Sequence, residues 1–217
     1  MNAALWADRP TRDCEPQRMH RVAAGRTLFA QGDGFHGVFM VRSGTLKSVI
    51  ILADGRQQVC AFPMVGDVIG LDGVVTGTHG TTMTALEDSH VREVARHPWA
   101  HATAPDPGMQ EHVSELMARD IQRAHRIHAL LGCANAQERL AAFLLDQSRR
   151  RYAQGFSACD FHLRMSRAEL GSYLCMSMET VSRTLSGMQR KGWLRVNKRH
   201  ISLADVGALS RRFGALL

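Results

Sequence analysis

Two short helical segments separated by three residues constrain the fold of this 217-residue chain most strongly. The stretch Ser166-Arg167-Ala168-Glu169 has the pattern of a capping box, in which its first and last residues cap each other, and it predicts a helix over 167–174. Cys175-Met176-Ser177 interrupts the pattern, and Ser177 is a suitable N-cap for a second helix over 178–190. Two short helices joined by so tight a turn form a helix-turn-helix.

A basic hairpin is predicted directly after the second helix. Lys191-Gly192 ends that helix, and apolar residues then alternate with polar ones over 194–203, on both sides of Asn197-Lys198. A further helix over 136–152 precedes the capping box. The segment 134–217 therefore has the pattern of a winged helix-turn-helix domain, with the hairpin as its wing.

The second short helix begins with side chains suited to reading bases. Glu179, Ser182 and Arg183 fall at i, i+3 and i+4, hence on one helical face. The first residues of a recognition helix enter the major groove, where an arginine fork matches guanine and a carboxylate accepts from cytosine. The alternative is an ordinary surface ion pair between Glu179 and Arg183. Residues predicted to contact the DNA backbone are Ser166, Arg167, Thr180, Lys198 and Arg199.

The net charge of +7 is concentrated in this predicted domain. Residues 1–133 hold 13 Lys/Arg against 14 Asp/Glu, whereas residues 134–217 hold 14 against 6. A basic domain attached to a neutral one is typical of a nucleic-acid-binding protein, although a solvated basic surface is the simpler alternative. The helix-turn-helix pattern favours double-stranded DNA as the partner.

A long helix is predicted over 106–131. Its apolar residues recur every three or four positions, and one set follows the 4-3-4-3 spacing of a coiled-coil seam. We expect this seam to form a homodimer interface, the alternative being one amphipathic helix that packs on its own domain. Gly132-Cys133-Ala134-Asn135 is predicted to break the helix and act as a hinge. The seam consists of Met117, Ile121, Ala124, His128 and Leu131.

The first 105 residues are predicted to form a β-roll. Short apolar runs between Gly25 and Val94 are separated by glycine-containing breaks, a pattern typical of an all-β domain. Asp54-Gly55 between two such runs predicts a hairpin with a type I′ turn. The expected fold class is thus α+β in three parts, with a β-roll over 1–105, a dimerisation helix and hinge over 106–133, and a winged helix-turn-helix over 134–217.

Composition and motifs exclude several other classes of protein. No apolar run approaches the roughly 18 residues that a membrane span needs, and the N-terminus lacks the pattern of a signal peptide, so we expect a cytoplasmic protein without a membrane partner. The five cysteines have no C-x-x-C spacing, which argues against a disulfide framework or a zinc ribbon. None of the common phosphate-binding or zinc-protease motifs is present, so we do not expect an enzyme.

The order β-roll, long helix, winged helix-turn-helix resembles the Crp/Fnr superfamily of bacterial transcription regulators, over about residues 22–209. The similarity is strongest to the Fnr branch, whose E-x-x-S-R recognition signature matches Glu179-Thr180-Val181-Ser182-Arg183. Gly66-Asp67-Val68-Ile69-Gly70 and Gln137-Glu138-Arg139-Leu140-Ala141-Ala142-Phe143 are further matches. The resemblance implies a cyclic-nucleotide-binding-like β-roll, a homodimer, an inverted repeat similar to TTGAT-N4-ATCAA as the DNA site, and contacts with RNA polymerase.

The chain lacks residues with which two branches of the family bind their effectors, an iron–sulfur cluster and cyclic AMP. Fnr proteins hold a [4Fe–4S] cluster on three N-terminal cysteines and one in the roll, whereas this chain has only Cys14 there and Arg92 near the fourth position. The cyclic-AMP receptors use a phosphate-binding arginine that is missing from Thr81-Thr82. We therefore expect neither the cluster nor cyclic AMP, no metal site, and no obligatory cofactor.

Two kinds of residue stay open as sensors. Cys175 stands in the helix-turn-helix turn where the family usually has glycine, so we expect it to be forced to positive φ. It is also a possible redox thiol. Haem on a histidine is also possible, and an alternative function is therefore a haem- or cyclic-nucleotide-binding sensor whose ligand controls DNA binding. Surface or core positions are the simpler explanation for the histidines considered, which are His79, His90, His97, His101, His112, His125 and His128.

Overall fold

The computed structural model describes residues 18–95 and 107–214 of the chain. The chain divides between Glu111 and His112 into two units, which are described in turn. The strands of the first unit are β1 (Met19–Val22), β2 (Thr27–Phe29), β3 (Val38–Ser43), β4 (Leu46–Ile51), β5 (Gln57–Ala61), β6 (Val68–Ile69), β7 (Thr82–Ala85) and β8 (Ser89–Ala95). Sequence reasoning had predicted strands at the positions of β3, β4, β5 and β7.

The strands of the first unit form two antiparallel four-stranded sheets. One has the order β1-β8-β3-β6 and the other the order β2-β7-β4-β5. Successive side chains of a strand point to opposite faces, so each sheet presents one apolar face to the core. Both sheets contribute to that core, which contains Val22, Phe29, Val41, Leu46, Ile69, Met83, Ala85 and Val91. The predicted β-roll is therefore confirmed.

The hairpin between β4 and β5 is present, but its predicted turn type is wrong. Leu52 donates its amide to Arg56 O at 2.8 Å, and the Gly55 amide donates to Leu52 O at 2.8 Å. Gly55 has a positive φ of 84°, whereas Asp54 does not. The loop is thus a three-residue connection with one left-handed glycine, and the Asp54 carboxylate accepts from the amide and the guanidinium of Arg56.

The long helix, α1, spans Pro107–Cys133. The predicted break over 132–135 is present, but it begins only after Cys133, since Gly132 stays helical and an exposed helical glycine costs only about 1 kcal/mol. The break comes at Asn135, whose extended backbone and side chain cap the next helix by accepting from the amides of Gln137 and Glu138. The connection is therefore only Ala134 and Asn135.

The second unit contains α2 (Ala136–Ala153), α3 (Arg167–Leu174), α4 (Met178–Arg190) and α5 (Val206–Phe213), with strands β9 (Asp160–His162), β10 (Leu194–Asn197) and β11 (His200–Leu203). The three strands form one antiparallel sheet in the order β10-β11-β9. The predicted winged helix-turn-helix is confirmed, and β9 and α5 are additions to it. The wing turns at Lys198 and Arg199, one residue later than predicted.

The core of the second unit is built from leucines of all the helices around the sheet. Leu140 and Leu144 of α2, Leu170 and Leu174 of α3, and Ile201 of β11 are almost completely buried. Burial of each such side chain stabilises the fold by roughly 1.5–3 kcal/mol relative to exposure.

In the part of the chain that the structure describes, no helix combines the length and the apolar character that crossing a bilayer demands.

Candidate nucleic-acid interface

Helix α3 begins at the predicted capping box. The hydroxyl of Ser166 accepts from the Glu169 amide at 3.1 Å, and Glu169 Oε2 accepts from the Ser166 amide at 2.7 Å. The amides of Ser166 and Glu169, which have no partner within the helix, are therefore both hydrogen-bonded inside the protein. Ser166, predicted to contact the DNA backbone, thus has its side-chain oxygen occupied as a cap.

Helix α3 ends at Cys175, which has the left-handed conformation (φ 51°, ψ 50°). The amide of the next residue, Met176, donates to Gly171 O at 2.8 Å and closes the turn. This conformation favours glycine, because a Cβ atom is crowded there. The expectation that Cys175 is forced to positive φ is confirmed, and its side chain is exposed.

Gly171 brings the backbones of the two reading helices together. A Cβ atom at Gly171 would lie 2.6 Å from the carbonyl oxygen of Met176, closer than real atoms approach. Sequence reasoning did not single out Gly171. The available signal was its position inside a helix, where a glycine usually has a packing reason.

Helix α4 presents the three predicted base-reading residues to solvent. Ser177 caps the helix by accepting from the Thr180 amide at 3.1 Å. Glu179, Ser182 and Arg183 are exposed on one face. On the opposite face Val181 and Leu185 are buried, which fixes the rotation of the helix about its axis.

The side chain of Glu179 is directed to the start of α4 rather than towards Arg183. A hydrogen bond from its own amide, and then the nearby Ser177 hydroxyl, lower the pKa of Glu179, which keeps it ionised. Among the described residues, no ion pair joins Glu179 to Arg183. The guanidinium of Arg183 therefore keeps its donors available for an external acceptor.

The wing carries two cations beside the start of α3. Arg167 donates from Nη2 to Lys198 O at 2.8 Å, and Arg199 donates from Nη1 to Arg164 O at 3.1 Å. Burial, and then the nearby Arg199 charge, lower the pKa of Arg167. Lys198 has a positive φ of 55° and is exposed. Thr180, also predicted to contact the backbone, accepts from the Ser177 hydroxyl at 3.1 Å. Arg167, Lys198 and Arg199 therefore lie close together, and their contact with the DNA backbone stays a prediction.

The predicted seam forms an open stripe on α1 of the single chain. Ile121 is 55% exposed, an unusual state for a large apolar side chain. Ala124 and His128 are exposed, and Met117 and Leu131 are half-buried. In contrast, Leu130 and Ile127 pack against Ala134 and Ala142 of the same unit.

A polar cluster joins the loop after β6 to the residues just before β7. Thr81 donates its hydroxyl to Asp72 Oδ2 at 2.9 Å, and His79 Nδ1 lies 3.4 Å from Asp72 Oδ1. The His79 ring is buried and stacks on Phe29 with 3.7 Å between centroids. The stacked His79 is thus engaged within the core.

The other predicted sensor residues are spread through both units. Within the described residues, Cys60, Cys133, Cys159 and Cys175 are free thiols, and no three His, Cys, Asp or Glu side chains are grouped so that they could hold a metal ion. His90 Nδ1 is 3.0 Å from the Ser43 hydroxyl, and His125 is exposed on α1. Cys14, His97, His101 and the side chain of His112 lie outside the described part of the chain.

Comparison with known proteins matches both units to established domains. Residues 138–212 match the model of the Crp-like helix-turn-helix domain, and residues 19–103 match that of the cyclic nucleotide-binding domain. The chain is 38% identical over 194 residues to the "Transcriptional regulatory protein btr" of Bordetella pertussis, covering 89% of this chain and 80% of that protein. The chain belongs to the Crp/Fnr family of transcription regulators. The recognition helix and wing described above are therefore those of a Crp/Fnr regulator.

Other Crp/Fnr proteins support the same assignment. The "Fumarate and nitrate reduction regulatory protein" of Escherichia coli K12 is 35% identical over 198 residues, covering 91% of this chain and 79% of that protein. The solved structure of FixK2 from Bradyrhizobium japonicum is similar with a TM-score of 0.81 and 30% identity, covering 91% and 97% of the two chains. These relatives are transcriptional regulators, which are not enzymes.

Proposed function

We infer that two copies of this Crp/Fnr regulator bind one inverted repeat in double-stranded DNA that resembles TTGAT-N4-ATCAA. The observation that carries this proposal is the exposure of Glu179, Ser182 and Arg183 on one face of α4, at the end of the helix that enters the major groove. The wing cations Lys198 and Arg199 would bind the phosphates beside it and fix the orientation of the helix.

The dimer interface in this proposal is the seam on α1. Its five residues repeat with coiled-coil spacing, and the apolar Ile121 is exposed in the single chain. A two-fold axis along this seam would present two recognition helices to the two half-sites of a palindrome, roughly one turn of DNA apart. We further propose that the promoter-bound dimer contacts RNA polymerase in the cytoplasm, as the family resemblance implies.

The signal in this proposal is not cyclic AMP or a [4Fe–4S] cluster. Thr81-Thr82 lack the phosphate-binding arginine of the cyclic-AMP receptors, and Arg92 stands near the position of the fourth cluster cysteine. The alternative of a haem or nucleotide sensor remains the second hypothesis, with His125 and His128 as the exposed candidates for an axial ligand.

A binding titration of the purified protein in air tests this function. Fluorescence anisotropy would compare a labelled TTGAT-N4-ATCAA duplex with a duplex of the same composition and scrambled half-sites. We expect specific binding stronger by about 10³-fold or more without added ligand, and no effect of cyclic AMP. Equal binding of the two duplexes would reject the proposed site, and a requirement for cyclic AMP would favour the alternative. An absorption spectrum of protein purified without oxygen reports haem directly.

Oxidation of Cys175 is expected to weaken DNA binding reversibly. Its thiolate attacks hydrogen peroxide to give a sulfenic acid and hydroxide, which adds bulk and polarity to the turn between α3 and α4. Glu179, Ser182 and Arg183 would be displaced together because they lie on one rigid helix. Gel shifts before peroxide, after peroxide and after dithiothreitol measure the effect.

The control for this prediction separates Cys175 from the other thiols. Cys175→Ser should bind DNA after peroxide as it does before, whereas Cys159→Ser, which removes another exposed thiol of the same unit, should remain sensitive. Burial raises the pKa of the Cys60 thiol, which lowers its reactivity at neutral pH. Equal sensitivity of wild type and Cys175→Ser would eliminate the thiol as a switch.

A further inference from the structure

The side chain of Arg139 joins the ends of two helices. Its Nη2 donates to Leu131 O at 2.8 Å, and its Nε donates to Ala134 O at 2.9 Å. From the same guanidinium, Nη1 donates to Leu174 O at 3.1 Å and to Cys175 O at 3.4 Å. The acceptors are main-chain carbonyls at the C-terminal ends of α1 and α3.

These carbonyls have a particular need for a cationic donor. The last four carbonyl groups of a helix have no intrahelical partner, and the helix dipole places partial negative charge there. A guanidinium offers five donors in a planar fork, so one side chain serves both helix ends at a fixed relative geometry. Arg139 itself is held in place because α2 begins at the capping box of Asn135, four residues earlier.

The connection that Arg139 spans is short. Only Ala134 and Asn135 separate α1 from α2, and the apolar cluster at this junction contains Leu130, Ala134 and Ala142, with Ile127 beside it. The side chains of Ala134 and Ala142 are single methyl groups, so they restrict the relative rotation of α1 and α2 less than larger side chains would. Directional hydrogen bonds from Arg139 therefore define the angle between the end of α1 and the turn that precedes α4.

We propose that Arg139 is a positioning residue that sets the half-site spacing which this regulator accepts. The inference rests on the proposed function, in which α1 forms the dimer and α4 reads DNA. If the end of α1 is locked to the turn at Cys175, the two recognition helices of a dimer are held at one separation and one rotation. Without the hydrogen bonds of Arg139 each recognition helix stays intact, but its position relative to the recognition helix of the partner subunit is no longer fixed.

Binding to inverted repeats of different spacing tests this inference. Anisotropy titrations would use TTGAT and ATCAA half-sites separated by three, four or five base pairs, and a duplex with a single half-site. One added base pair rotates a half-site by roughly 35° about the DNA axis, since B-DNA has 10–10.5 base pairs per turn. For wild type we expect the changed spacings to bind at least about tenfold more weakly, an effect comparable to one mismatched base pair.

In Arg139→Gln we expect the ratio of the affinity for the four-base-pair spacing to the affinity for the other spacings to fall towards one. Binding to the single half-site should be unchanged. Arg139→Lys keeps the charge, but a single ammonium cannot donate to both helix ends in the planar geometry of a guanidinium. This variant should therefore also lose most of its preference for the four-base-pair spacing. Arg149→Gln, which removes the same charge from an exposed position of α2, should keep the wild-type ratio.

The outcomes distinguish this inference from the function on which it rests. If both Arg139 variants kept the wild-type preference for one half-site spacing, the positioning role would be overturned and the proposed function would stay intact. Loss of single-half-site binding in both variants would also overturn it, because Arg139 would then support only the fold of the reading domain. A wild type that shows no preference for any inverted repeat would overturn the proposed function and the inference together.

Discussion

Replacing Ile121 with glutamate is expected to produce monomers that bind an inverted repeat poorly. The side chain is 55% exposed on the seam of α1, and a two-fold axis would bring it close to its own symmetry mate. A carboxylate there would face a second carboxylate and lose part of its hydration, both of which oppose association. Because a dimer gains from occupying both half-sites at once, we expect affinity for the palindrome to fall about 10²–10⁴-fold.

Light scattering on wild type and Ile121→Glu measures the first part of this prediction, and anisotropy on the palindrome and on a single half-site measures the second. Gln122→Glu is the matched control, because it adds the same charge to the next, exposed position of α1, off the seam. The control should remain a dimer. A tight dimer in Ile121→Glu would contradict the placement of this residue in the interface.

Replacing Arg183 with alanine is expected to reduce both affinity and discrimination. A bidentate arginine–guanine contact supplies about 1–3 kcal/mol of discrimination, so affinity for the consensus repeat should fall by about 5- to 150-fold per half-site. The preference for guanine at the contacted position should relax, because no other donor replaces the fork. Titrations against duplexes with each base at that position measure the change.

The wing provides the control for this experiment. Lys198→Ala removes a phosphate contact, so it should weaken binding to all sequences alike and flatten the salt dependence by about one unit of slope. Arg183→Ala should leave the slope nearly unchanged. If Arg183→Ala weakened consensus and random DNA equally, Arg183 would be a backbone contact rather than a base-reading one.

The reading helices could be predicted from the sequence to the residue, and the reason is local. The bounds 167–174 and 178–190 depend on caps at Ser166 and Ser177, whose partners lie three residues away in the chain. The left-handed conformation of Cys175 could be predicted because the resembling family usually has glycine at this position. Signals of this range are contained in a short window of sequence.

Features that depend on distant partners were not predictable in the same way. Strand β9 is three residues long and is defined by its pairing with β11, about forty residues later. Arg139 binds main-chain carbonyls, which every residue type possesses, so no side-chain pattern indicates its partners. The Asp72 cluster joins residues on either side of a loop, with Asp72 and Thr81 nine positions apart.

The contact of Gly171 with Met176 has a consequence for how such regulators change their targets. Because this contact uses main-chain atoms, and because α4 packs inward through Val181 and Leu185, the crossing angle of the two helices does not depend on the exposed side chains of α4. Exchanging the residues at 179, 182 and 183 would then alter the preferred bases while the docking pose is inherited unchanged. Target preference and docking geometry are in this way separate heritable traits, so a duplicated copy of the gene could diverge in its targets by a few exposed substitutions without first rebuilding its framework.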